Sequence, residues 1–79
     1  MSGLYGPLAG YLTRSEKVSV SLSFADIERL IGRSLPPSAR KHRAWWVNDP
    51  THVQALAWLD AEWKAEAVDL KRELVRFAR

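Results

Sequence analysis

The sequence predicts a small α+β domain, and three stretches carry the prediction. Residues 18–22, VSVSL, alternate apolar and polar, the period of a half-buried strand. Residues 23–32, SFADIERLIG, have the spacing and end signals of an amphipathic helix. Residues 65–78 hold two short apolar runs on either side of Lys71-Arg72-Glu73, the pattern of a β-hairpin.

At 79 residues the chain is long enough for one compact domain, expected over residues 1–79. Its 47% hydrophobic content is that of a folded protein. So small a core makes every large side chain matter, and Trp58 and Trp63 are expected in it. The absence of cysteine excludes disulfides and cysteine-based zinc sites and suits a reducing cytoplasm, the expected location. The sequence does not open on a signal-peptide pattern, and it has no apolar run of about 18 residues, so no membrane association is expected.

Taken in order, Tyr5, Leu8, Tyr11 and Leu12 have near-helical spacing, and Pro7 suits a first turn. A short helix is expected from Pro7 to Thr13, with both tyrosines packing. In the strand, Val18, Val20 and Leu22 face one way and Ser19 and Ser21 the other. Ser23 and Asp26 form a variant capping box, Phe24, Ile27, Leu30 and Ile31 form the apolar stripe, and Gly32 ends the helix. After Leu35-Pro36-Pro37, Ser38 can cap a helix from Ala39 to about Val47. Trp45 and Trp46 then point about 100° apart, so one belongs to the core and the other to a rim near the cations.

Residues 48–51, NDPT, read as a loop, with Thr51 capping a helix from His52 to about Ala61. Its inner stripe is Val53, Leu56, Leu59 and Trp63, with Gln54, Ala55, Trp58 and Glu62 toward another side. The last stretch reads as strands Ala65–Leu70 and Leu74–Ala78. The alternative is a long C-terminal helix, which the local composition favours by propensity. One helix from Thr51 to Phe77 would span roughly 40 Å, long for a small domain unless it dimerises. The strand at 18–22 also needs a partner for its backbone groups, which the hairpin supplies.

Chemistry concentrates in residues 38–49, SARKHRAWWVND. The formal charge is only +3, but Arg29, Arg33, Arg40, Lys41 and Arg43 follow Glu28 with no acid before Asp49. Such local density favours a polyanionic partner. Arginine and lysine neutralise phosphates, while asparagine, glutamine and arginine can read base edges. Arg40, Lys41, His42, Arg43, Asn48, Thr51, His52 and Gln54 are the candidate nucleic-acid contacts, converging around the turn between two helices. Trp46 is the candidate rim indole for stacking on a base or sugar, and Lys71 and Arg72 are candidate phosphate contacts at the hairpin tip. A solvated basic face is the plain alternative, its arginines pairing with Asp49, Asp60 or Glu62.

Enzyme signatures are sparse. The four glycines are scattered, so there is no phosphate-cradling loop, and there is no His-Glu-x-x-His. The only histidines, His42 and His52, are too few for a closed zinc site without carboxylates. Asp49 and His52 can form a dyad, or Asp49 can simply brace its loop. No enzymatic activity, metal or cofactor is expected.

From Leu22 to Arg79 the chain resembles an uncharacterised bacterial domain family. The matching residues are LSFADIERLIG, LPPSARKHRAWWVND, His52, Gln54-Ala55, AWLDAEW and VDL…LVRF, and Tyr5-Gly6-Pro7-Leu8 fits the family's opening. The resemblance implies a recurring bacterial module, often in genomes rich in mobile elements, and carries over no catalytic residue. Where this chain has Glu62 the family has glycine, which would end the helix and open the hairpin.

The order helix, strand, helices, hairpin is close to a winged helix-turn-helix, in which a helix enters the major groove and a β-hairpin wing touches the backbone. The expectation is a winged helix-turn-helix-like module that binds duplex DNA as a regulator or accessory subunit. The second expectation is a protein-interaction module or inhibitor using the Arg/Trp surface, since both residue types anchor interfaces. A homodimer is compatible with either.

Overall fold

The computed structural model describes residues 3–79. Four α-helices and a three-stranded antiparallel sheet follow one another as α1 (Gly6–Arg14), β1 (Ser19–Ser23), α2 (Phe24–Ile31), α3 (Pro37–Lys41), α4 (Val53–Leu59), β2 (Lys64–Asp69) and β3 (Leu74–Ala78). A single 3-10 turn, Arg43–Trp46, lies between α3 and α4. No helix of the described residues is long and apolar enough to cross a membrane.

The sheet order is β1-β3-β2. The C-terminal segment is therefore the hairpin and not the continuous helix, and β3 is the partner that β1 requires. Val20 and Leu22 of β1 lie opposite Phe77 and Val75 of β3, and all four are buried under the helices. Ser19, Ser21 and Arg76 alternate onto the open face. Val18 was expected to share the inward face. It lies just before the strand, beyond the end of the core, and is 70% exposed.

The capping box forms as expected: the Asp26 N–H donates to Ser23 Oγ (2.9 Å), and the Ser23 N–H donates to Asp26 Oδ2 (3.0 Å). Gly32 closes α2 in the left-handed region at φ 78°.

The expected helix from Ala39 to Val47 is broken. α3 begins at Pro37 with no side-chain cap, so Ser38 is inside it, and His42 turns extended at φ −128°, ψ 121°. The break frees the Ala39 carbonyl, which a continuous helix would use internally. The Trp46 Nε1–H donates to it instead (2.9 Å). A buried indole N–H usually finds such a partner. The same re-aiming stacks Trp46 on Phe24 (5.0 Å between ring centres) and against Trp58 (6.0 Å).

α4 is also shorter and rotated relative to expectation. Thr51 does not cap it; its N–H and hydroxyl both donate to Asp49 Oδ1. The buried face is Ala55, Ala57 and Trp58, while Val53 and Leu56 of the expected inner stripe are exposed. The large Trp58 ring, fully buried against Phe77, turns the helix to its own side.

Glu62 follows α4 with φ 67°. The Trp63 N–H reaches the Trp58 carbonyl (2.8 Å) and the Glu62 N–H reaches that of Leu59 (2.9 Å), a Schellman closure. The position where the resemblance implies glycine has left-handed backbone in this chain, with glutamate in it. Trp63 then enters the core, fully buried, and Arg79 lies over its ring at 5.0 Å.

Candidate functional site

Arg40, on α3, is held by two carboxylates: its NH1 donates to Glu28 Oε2 (2.9 Å) and its Nε to Glu73 Oε2 (3.1 Å). Glu28 also accepts the Leu35 N–H (2.7 Å). The Arg40 guanidinium and then the Leu35 N–H hold the Glu28 carboxyl below its ordinary range, and Glu28 in turn raises Arg40 above its own. The acids that neutralise this arginine are Glu28 and Glu73, not Asp49, Asp60 or Glu62. Arg40 is thus a tie between α2, α3 and the hairpin turn.

Arg43, on the 3-10 turn, donates from NH1 to the Val68 carbonyl (2.6 Å). Asn48 makes three bonds. Its Nδ2 donates to the Ala65 carbonyl (3.0 Å), and its Oδ1 accepts the Ala65 N–H (2.8 Å) and the Trp58 Nε1–H (2.8 Å). In the β2–β3 register the backbone groups of Ala65 and Val68 turn away from β3. Asn48 therefore pairs with β2 as a neighbouring strand would, and Arg43 covers the next free carbonyl along. Side chains from the loop thus cover much of the free edge of β2.

The other candidates divide. Trp46 is 3% exposed, so it is the core indole and offers no stacking face; the half-buried rim tryptophan is Trp45, edge-on to Tyr5 at 5.9 Å. Gln54 Nε2 donates to the Trp45 carbonyl (3.0 Å). Thr51 is turned onto Asp49, whose carboxyl it holds below the ordinary value, and His52 Nε2 stands 3.8 Å from Asp49 Oδ2. Lys41, His42, Lys71 and Arg72 are exposed. The Arg72 side chain is 78% exposed and lies 3.9 Å from Asp69.

The expected convergence around one interhelical turn therefore does not form. Arg40 and Arg43 reach the far end of the hairpin, at Glu73 and Val68. Asn48 reaches its near end, at Ala65. The arrangement instead draws the basic run to the turn that carries Lys71 and Arg72.

Two features are not visible directly in the order of residues. Glu28 and Glu73 neutralise Arg40; Glu28's place one helical turn before Gly32 was the available signal. The second is an apolar surface between α1 and α4, where exposed Leu4, Val53 and Leu56 border a cavity of about 330 Å³ with Tyr5, Ala9 and Asp60.

Comparison with curated proteins and with solved structures gives no match. A family model does match, over residues 5–79, nearly the whole of the chain whose bracing has just been described. The chain belongs to that family, a domain of unknown function, DUF7662.

Proposed function

We propose that this domain binds the phosphate backbone of duplex DNA with the end of the molecule where the β2–β3 turn meets residues 40–43. One observation carries the reading: the bonds from Arg40 to Glu73 and from Arg43 to the Val68 carbonyl draw the basic run onto the turn that bears Lys71 and Arg72. Lys41, Arg43, Lys71 and Arg72 are all exposed there, and Arg43 keeps guanidinium donors beyond the one it gives to Val68. Exposed cations grouped on one end are the electrostatic footprint of phosphate binding.

The element order with a β1-β3-β2 sheet is compatible with a winged helix-turn-helix in which the hairpin is the wing. In that arrangement α4 would face the groove. It carries no cation, exposes Val53 and Leu56, and has Gln54 bonded to the Trp45 carbonyl. The reading is therefore backbone contact through the wing, without base recognition by Asn48, His52 or Gln54.

The test is anisotropy of labelled mixed-sequence duplex across a salt series, with the chain and its Lys71→Ala/Arg72→Ala variant. Affinity should fall steeply with salt, and the variant's slope should be shallower by about one per phosphate contact removed. Absence of binding at low salt, or identical behaviour of the variant, overturns the proposal.

A second reading, a protein-binding module, is favoured by the exposed apolar residues Leu4, Val53 and Leu56. It would bind in a salt-tolerant way and would be insensitive to the hairpin cations.

A further inference from the structure

The free edge of β1 is unlike that of β2. In an antiparallel ladder successive residues turn their backbone groups alternately toward the partner strand and away from it. The bonds from the Arg79 N–H to the Val18 carbonyl (3.1 Å) and from the Phe24 N–H to the Glu73 carbonyl (2.8 Å) set the phase for β1. Val20 and Leu22 therefore bond β3, and Ser19 and Ser21 turn both N–H and C=O outward. Both serines are exposed, and among the described residues no side chain bonds these groups. β1 also has no charged residue, proline or bulge, the usual devices that keep an edge from pairing.

Beside this edge runs a groove of about 460 Å³, lined by Tyr11, Leu22 and Leu30 and rimmed by Asp26 and Arg29. Val18, two residues before Val20 and in the same alternation as Val20 and Leu22, stands 70% exposed.

We infer that β1 pairs antiparallel with β1 of a second copy of this chain, about a twofold axis at Val20, merging the two three-stranded sheets into one. In this register Ser19 of each copy faces Ser21 of the other, and each pair exchanges both backbone bonds, so every outward group of the two serines is satisfied. Val18 falls opposite Leu22 of the second copy, at the mouth of its Tyr11–Leu30 groove, which covers the exposed valine. Lys17 falls opposite Ser23 of the second copy, beside the Asp26 carboxylate bonded to that serine. An unrelated extended peptide would satisfy the hydrogen bonds. A second copy also brings a valine to the groove and a lysine to the Asp26 carboxylate, which Arg29 flanks, in the same register. The inference does not rest on nucleic-acid binding.

Sedimentation equilibrium of the full chain, from micromolar to millimolar concentration, tests it. A monomer–dimer equilibrium is expected. Ser21→Pro removes an outward N–H and no bond to β3, so it should stay folded by circular dichroism and be monomeric. Ser19→Lys with Ser21→Lys sets like charges opposite each other in both pairs and should weaken dimerisation about tenfold. Ser19→Lys with Ser21→Glu sets opposite charges there and should restore it. A chain that stays monomeric throughout overturns the inference. So does a folded Ser21→Pro that still dimerises, or a pair of charge variants with equal dissociation constants. If Ser21→Pro unfolds, the two charge variants decide.

Discussion

The two edges of the sheet face the same physical problem and solve it differently. β2 presents free backbone groups at Ala65 and Val68, and side chains from residues 43–48 take up the Ala65 N–H and carbonyl and the Val68 carbonyl. β1 presents free groups at Ser19 and Ser21, and among the described residues no side chain takes them up. The difference lies in what the preceding loop supplies. The segment before α4 runs along β2 carrying an asparagine and an arginine, and it is pinned there because Trp46 and Trp58 are core residues on either side of it. Much of the RKHRAWWVND stretch is thus employed in holding the hairpin, and the surface left for a ligand is smaller than the sequence suggests.

Replacing Asn48 is the strongest way to break this asymmetry. Asn48→Ala strips partners from the Ala65 N–H and carbonyl and from the buried Trp58 indole N–H. It should cost about 2–3 kcal/mol in denaturant unfolding, a large share of a small domain's stability. Asn48→Asp keeps the acceptor for Trp58 and for the Ala65 N–H but turns an oxygen on the Ala65 carbonyl. It should fall between the wild type and the alanine variant in the same experiment.

Arg40→Ala tests the tie at the hairpin's far end. It should destabilise by about 1 kcal/mol, because the pairs are partly exposed and screened. It should also change the pH dependence. Glu28, Asp26 and Asp49 have carboxyls held below their ordinary values by their bonds to Arg40, Ser23 and Thr51 respectively. A carboxyl lower in the folded than in the unfolded chain contributes stability above its unfolded value and loses it as pH falls through its folded value. The domain should therefore lose stability on acidification below about pH 4.5, the ordinary value for glutamate. In Arg40→Ala the Glu28 part of that loss should shrink, and NMR titration should find the Glu28 carboxyl nearer its ordinary value.

Glu62→Gly sharpens the account of how β2 is entered. The backbone there is left-handed, at φ 67°, a region that disfavours any residue with a Cβ. Glycine should stabilise the domain by up to about 1 kcal/mol, read as a raised denaturation midpoint with unchanged slope. Arg43→Ala is the smallest change. It uncovers one exposed-edge carbonyl that water can reach, so it should cost about 0.5 kcal/mol while removing a cation from the proposed phosphate surface.

Local patterns were legible where one short segment contains its own explanation. The Ser23–Asp26 capping box, the Gly32 stop and the alternation of β1 all rest on neighbours in sequence. The hairpin does not: local propensity at residues 65–78 favours helix, and the case for strands came from the pairing that the distant β1 requires. The broken helix at His42 was not legible, because its cause is the burial of Trp46 between Phe24 and Trp58, which lie on other elements. The rotation of α4 was hidden for the same reason. The expected inner stripe left Trp58 on another side, and the ring volume of Trp58 decided which face is buried. At the candidate site, charge density was visible in residues 40–43, but the partners that neutralise Arg40 are 12 and 33 residues away. The use of Asn48 as a surrogate strand depends on β2 lying beside it.

The sequence by itself determined an α+β domain with a capped second helix, a C-terminal hairpin and two buried tryptophans at 58 and 63. Helix caps and strand periods act over a few residues, and the hairpin followed from the backbone pairing that a lone strand requires. The tertiary structure alone decided which tryptophan of the adjacent pair is core, which face of α4 is buried, and which polar side chains remain free to meet a ligand. Those choices turn on competition for one small interior and on hydrogen bonds between distant segments. Neither is expressed in the order of residues along any single stretch.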